Sequence, residues 1–173
     1  MVELQNILFD EQAIREKVQE LSRRISLDYR GKELVAVCIL KGATVFFADL
    51  VRCLTIPVTI DFIQAASYGN ETASSGQVSI TKDLDIDIRG KHVLLVDTII
   101  DTGETLNHLF NILSERGPAG MNAVALLDKK CRRTKHVPMS YLGVEIPDLF
   151  VVGYGLDFAE EFRNLPYIAV VKQ

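Results

Sequence analysis

The sequence predicts an α/β fold: one domain over residues 1–173, with a central, mostly parallel sheet and helices on both faces. Three observations lead there. Apolar, β-branched runs such as LVAVCIL at 34–40 read as strands covered on both sides. Amphipathic helical stretches lie between them. Strand, helix, strand at this rhythm demands parallel strands joined by right-handed crossovers. With 48% apolar and 24% charged residues the composition is ordinary for a globular protein. A chain this long can bury roughly 70% of its unfolded surface, so one real core is available.

The elements follow in order. Ile14, Val18, Leu21 and Ile25 fall at helical spacing, with Asp10 as N-cap and Gly31 as the stop. After the strand at 34–40, Gly42 to Arg52 is a second helix candidate. Val58, Ile60 and Phe62 alternate with polar residues, which gives a strand with one polar face. Residues 67–77, SYGNETASSGQ, are small and polar and read as a mobile loop. A strand at 92–96, a helix at about 104–116 ending before Gly117-Pro118, and a strand at 122–127 come next. Two late strands, near 150–154 and 167–171, close the chain. Ligands of such sheets sit at the carboxyl ends of the strands, so the loops after residues 40, 96 and 127 are the places to search.

Composition narrows the function classes. The longest purely apolar run is Leu34–Leu40, too short to span a bilayer. The N-terminus carries no basic residue ahead of an apolar stretch, so no secretion signal is expected. Cys38, Cys53 and Cys131 lack metal-type spacing, and Cys38 reads as a buried thiol. Free thiols without a signal point to the cytoplasm. A net charge of −4 with a pI near 5.4 argues against nucleic acid as a partner.

The most informative stretch is VLLVDTIIDTGETL, residues 93–106. An apolar strand runs into two acids, a Thr-Gly turn and a helix with Leu106, Leu109 and Leu113 on one face. Backbone N–H groups at the helix N-terminus, with the hydroxyls of Thr102 and Thr105, form a phosphate cradle that needs no lysine. Gly103 lets the backbone approach an anion closely. Asp97 and Asp101 would repel phosphate unless they had another task, such as holding sugar hydroxyls or Mg²⁺. Two plainer readings stay open from the motif alone. Asp101 with Glu104 fits the capping-box spacing. Asp101-Thr102-Gly103 also matches an aspartic protease triplet, but those enzymes are all-β and need two aspartates sharing a proton. Here a helix follows at once and the chain holds no second Asp-Thr-Gly.

Residues 97–105 resemble the phosphoribosyl-pyrophosphate (PRPP) motif of type I phosphoribosyltransferases. Leu40-Lys41-Gly42, Ser67-Tyr68-Gly69, Leu127-Asp128-Lys129, Asp148 to Asp157 (DLFVVGYGLD) and Glu161-Phe162-Arg163 narrow the resemblance to the hypoxanthine-guanine members. It covers nearly the whole chain in the right order. The resemblance implies transfer of the phosphoribosyl group from PRPP to a 6-oxopurine base, with Mg²⁺ as cofactor and a homodimer or homotetramer as the assembly.

It also implies roles. Asp101 to Thr105, including Thr102, Gly103 and Glu104, take the 5′-phosphate, and Asp97 takes the ribose hydroxyls. Asp101 lies near the purine N7 as general base or acid. Lys129 reads the base: an ammonium has three donors and no acceptor, so it bonds O6 of hypoxanthine or guanine but not adenine's amino group. Phe150 stacks on the purine and Val151 offers backbone groups to its edge, whereas alternation alone makes Phe150 a core residue. Asp157 also faces the purine site and, with Asp97, is the candidate metal ligand. Lys41 and Gly42 bind pyrophosphate through a loop whose Leu40-Lys41 bond is cis in the family. Arg163 contacts pyrophosphate, and Ser67 and Tyr68 belong to a lid. Lys130, Arg132, Arg133 and Lys135 read as a solvated basic loop.

The family usually carries two adjacent acids, the first a Glu, where this chain has Asp97-Thr98. Following the strand, Thr98 is expected to face the ligand mouth beside the sugar and its metal. The rival of another class is an RNA-binding regulator built on the same motif. Residues 129–135 are its only basic candidate, and the acidic net charge opposes it.

Overall fold

The computed structural model describes residues 3–67 and 78–172. Strand β1 (Leu4–Phe9) leads into helix α1 (Glu11–Asp28), followed by β2 (Leu34–Leu40), α2 (Thr44–Cys53), β3 (Val58–Ser67) and β4 (Val78–Lys82). Then come β5 (His92–Ile100), α3 (Glu104–Ser114), β6 (Gly120–Asp128), β7 (Tyr141–Glu145), β8 (Val151–Val152) and β9 (Ile168–Val171). Asp10 caps α1 as expected, its Oδ1 accepting the Ala13 N–H at 2.8 Å. Gly31 stands just beyond the end of α1 with φ +76°.

The main sheet runs β4-β3-β2-β5-β6-β7. Its central pairs are parallel, and only the β3–β4 pair is antiparallel. The mostly parallel α/β fold of the sequence reading is present, with helices on both faces. Period-2 alternation in β2 sorts the core. Leu34, Ala36 and Cys38 pack beneath α1 and α2, with Leu21, Ile25, Phe46 and Leu50. Val35, Val37 and Ile39 pack beneath α3, with Leu106, Leu109 and Leu113. Each of these large side chains contributes about 1.5–3 kcal/mol by leaving water. Cys38 is fully buried, which pushes its thiol up to about 12.

Strands β4 and β7, the two edges of the main sheet, were not expected, and three further features depart from the sequence reading. The late strands do not join the main sheet: β8 and β9 pair with each other, and β9 pairs with the unanticipated β1, in a small antiparallel sheet. On the polar face of β3, Asp61 is buried, because its carboxylate accepts the N–H groups of Phe62, Asp85 and Ile86. Strand β5 continues past Val96 to Ile100, so Asp97 and Thr98 lie inside a strand. No helix among the described residues is long and apolar enough to cross a membrane.

Candidate active site

The turn between β5 and α3 is set by Gly103. Its φ of +85° is costly for other residues, and a Cβ there would meet the Lys135 carbonyl at 2.9 Å. Gly103 is the N-cap of α3, and no side chain caps the helix. The capping box of Asp101 and Glu104 therefore does not form; the Thr102 hydroxyl accepts the Glu104 N–H at 3.4 Å instead. Residues 97 and 99–106 line a cavity of about 100 Å³ at the carboxyl end of the sheet. Asp97, Asp101, Thr102, Gly103, Glu104 and Thr105 thus share one small space, with free backbone N–H groups of the helix start beside it. Burial pushes the Asp97 carboxyl up to about 6, opposed by the backbone N–H groups of Thr98 and Ile99.

Thr98 does not face the ligand mouth. It has 0% exposure, and its hydroxyl donates to the Gly42 carbonyl at 2.9 Å. The strand carries position 98 onward from the buried Leu94 and Val96 rather than releasing it into a loop.

Lys130, Arg132 and Lys135 are exposed, as expected of a solvated basic loop, and Arg133 is half-buried; yet the 129–135 segment is also fastened to the site. The Thr134 and Lys135 N–H groups both donate to the Thr102 carbonyl at 3.0 Å, which fastens the segment to the phosphate turn. Arg133 bonds the Asp101 carbonyl at 3.0 Å through Nε, and its Nη2 pairs with Asp128. Lys129 is buried at the end of β6, with its ammonium 3.8 Å from Asp148. Arg132 reaches the same Asp148 oxygen at 3.4 Å and stands 3.0 Å from Asp101 Oδ1. Four charges, Lys129, Asp148, Arg132 and Asp101, therefore run in a row from the end of β6 to the phosphate turn.

The opposite rim gathers Lys41, Gly42, Asp157 and Arg163. The Leu40-Lys41 peptide is cis. Gly155 presses on the Gly42 carbonyl so closely that a Cβ would come within 2.3 Å. The Gly155 carbonyl in turn accepts from Arg163 Nη1 at 2.8 Å. Arg163 pairs with Asp157 Oδ1 at 2.9 Å, and Glu160 joins Arg163 to Lys41. Among the described residues, every non-glycine with positive φ lies in this rim: Tyr154, Ala159, Glu160 and Phe162. Such backbone persists where surrounding contacts enforce it, and it clusters at functional sites. Phe150 is 40% exposed, not a core residue, and meets Phe158 edge to face at 5.6 Å. Val151 is buried in β8. Tyr68 lies outside the described residues, and Ser67 ends β3. No cluster of three or more metal-ligating side chains occurs among the described residues.

The family profile described as "Phosphoribosyl transferase domain" matches residues 5–159. The chain belongs to the phosphoribosyl transferase family. It is 46% identical to hypoxanthine-guanine phosphoribosyltransferase of Dictyostelium discoideum, over 96% of this chain and 95% of that protein. It is 42% identical to the Bacillus subtilis protein of the same name, over 98% and 94%. The crystal structure of a hypoxanthine phosphoribosyltransferase from Staphylococcus aureus superposes with a TM-score of 0.94 at 43% identity, covering 98% of this chain and 92% of that one.

Within this phosphoribosyl transferase site, the sequence reading assigned no role to Asp148, Phe158 or Glu160, and it gave Arg132 and Arg133 no partner in the site. Asp148 stands at the head of the DLFVVGYGLD stretch, which was a signal. Arg132 had none, because its partners Asp101 and Asp148 lie far away in the chain, and nothing in the sequence announces the pairing of Glu160 with Lys41, 119 residues earlier.

Proposed function

We propose that the chain works as one catalytic domain in purine salvage, transferring the 5-phosphoribosyl group of PRPP to hypoxanthine or guanine to give IMP or GMP and pyrophosphate. The observation that carries this reading is a buried lysine, Lys129, connected through Asp148 and Arg132 to an acid at the lip of a phosphate-sized turn. A base reader, a proton acceptor and an anion cradle lie in that order.

The 5′-phosphate sits against the N–H groups and hydroxyls of residues 101–105, and Asp97 accepts from the ribose hydroxyls. The base nitrogen bonds to the ribose C1 as the bond from C1 to pyrophosphate breaks. Asp101 receives the proton that the purine gives up. To do so it exchanges its contact with Arg132 for one with the ring. That contact joins two half-exposed groups and is worth only about 0–1 kcal/mol, so it yields readily. Lys129 donates to O6, and Phe150, steadied by Phe158, stacks on the ring. Lys41, Gly42 and Arg163 take the leaving pyrophosphate.

Mg²⁺ keeps most of its shell as water and phosphate oxygens, so a site with isolated carboxylates rather than a cluster fits it. Asp157, oriented by Arg163 and by the Glu160 N–H at 2.9 Å, is the residue to hold it, with Asp97 as the second acid. When bound, the ion neutralises charge on pyrophosphate. The cytoplasm and a homodimer or homotetramer complete the reading.

The test is a panel of bases with PRPP and Mg²⁺, following pyrophosphate release. Hypoxanthine or guanine should exceed adenine by at least about tenfold in kcat/KM, since one mismatched buried pair is worth about 1.4 kcal/mol or more. Comparable turnover of adenine, uracil or orotate sinks the assignment.

A further inference from the structure

Thr98 has no access to solvent and none to the phosphate cavity, yet it is tied to the site by one bond. Its hydroxyl crosses from β5 to the start of α2 and donates to the Gly42 carbonyl at 2.9 Å. The same peptide is held from its other end, where the Ala43 N–H donates to the Ile39 carbonyl at 3.3 Å. Gly155 closes the remaining side, with no room for a Cβ against the Gly42 oxygen. Just upstream, the Lys41 carbonyl accepts both the hydroxyl and the N–H of Thr44, at 2.7 and 3.1 Å.

Glycine has the widest dihedral freedom of any residue, so a glycine in a ligand loop is costly to order. Here the Gly42–Ala43 peptide is fixed in the free protein, which narrows the directions open to the adjoining Lys41–Gly42 peptide. A loop ordered beforehand does not spend ligand affinity on its own ordering. We propose that Thr98 is a positioning residue for the pyrophosphate end of PRPP: its buried hydroxyl holds the Lys41-Gly42 loop in its binding conformation and touches neither sugar nor metal. This rests on the reading of Lys41 and Gly42 as the pyrophosphate loop.

The experiment compares wild type with Thr98→Val, which keeps the shape and deletes the hydroxyl, with Thr98→Ala should the valine variant fold poorly, and with Thr98→Ser. Magnesium pyrophosphate is titrated calorimetrically and against the ¹⁵N-labelled protein, and KM is measured for PRPP and for hypoxanthine. Thr98→Val should weaken pyrophosphate about three- to tenfold and raise KM for PRPP by the same factor. KM for hypoxanthine should stay put, and Thr98→Ser should recover pyrophosphate affinity. The Gly42 amide of the wild type should shift as pyrophosphate binds. Wild-type pyrophosphate affinity in Thr98→Val overturns the positioning role, and so does an equal loss for hypoxanthine, which would mean general loosening. A Gly42 amide in the wild type that ignores saturating pyrophosphate removes the loop reading itself, and the two failures are thereby told apart.

Discussion

The phosphate turn and the opposite rim solve the same problem, holding an anion, in contrasting ways. The turn is local in its backbone: strand end, Gly103 and helix start are neighbours in the chain and one positive φ sets the bend, with residues 133–135 clamped onto it from outside. The rim is assembled across the molecule, by ties such as Thr98 to Gly42, 56 residues apart, and Lys41 to Glu160, 119 apart. Function built locally is separable from stability, whereas function built by distant partners is shared among many residues. Variants in the turn should therefore alter chemistry with little loss of fold, and variants at long-range contacts, in the rim or at the end of β6, should alter binding and selectivity.

The sharpest way to break this contrast is Asp101→Asn. The change keeps the shape and removes the proton acceptor, so kcat should fall by at least tenfold and toward the about 10²–10⁴-fold typical of acid–base groups. Asp101 caps no helix, and its ion pair with Arg132 is half exposed, so the melting temperature should move by less than about 2 °C. Steady-state kinetics and a thermal melt decide it. An unchanged kcat removes Asp101 from the chemistry, and a large drop in melting temperature means the turn depends on it structurally.

The same contrast explains what the sequence could tell. Strands β2, β5 and β6 announce themselves by apolar runs buried on both faces, and α1 by its periodicity and the Asp10 cap. The DTGET turn carries its conformation in Gly103. Contacts between distant parts of the chain do not read that way. Arg132 is exposed as expected, but its ion pairs went unseen because Asp101 lies 31 residues earlier and Asp148 16 later, and no local pattern encodes those meetings. Thr98 looked like a ligand-facing residue because the strand seemed to end at Val96; pairing with β6 carries β5 on to Ile100 and turns the side chain inward. β1 was missed, and the pairing of the expected strand β9 with it was unforeseen, because a short antiparallel pair, formed by the two ends of the chain, has no signature in either segment alone.

Lys129→Gln sharpens the comparison on the selectivity side. A glutamine amide both donates and accepts, so it can meet adenine's amino group as well as O6. The ratio of kcat/KM for hypoxanthine over adenine should fall about tenfold. Asp148, 55% exposed, stays solvated without its lysine, so stability should change little. An equal loss for both bases makes Lys129 a structural residue, and an unchanged ratio moves base recognition elsewhere.

The smallest expected effect returns to the turn and concerns pH. Burial pushes the Asp97 carboxyl up to about 6, above the ordinary 3.8 of an aspartate in an unfolded chain. Between those values the folded protein keeps a proton that the unfolded chain has lost. Stability therefore falls as pH rises through this window, and above about pH 6 the full penalty is in place. Two units correspond to at most about 3 kcal/mol. Water reaches this half-buried group, so about 1 kcal/mol is expected, or about 2–4 °C in melting temperature for a chain of this size. Asp97→Asn keeps an oxygen for the Thr98 N–H, which reaches Oδ1 at 2.8 Å, and removes the titration. Melting temperatures of both proteins from pH 4 to 7, in chelator so that no cation competes for the carboxylate, give the answer by difference. Wild type should lose stability relative to Asp97→Asn as pH rises and then level off above about pH 6. A flat difference means that water already solvates Asp97 as fully in the folded chain as in the unfolded one, and the turn then spends no stability on its acid.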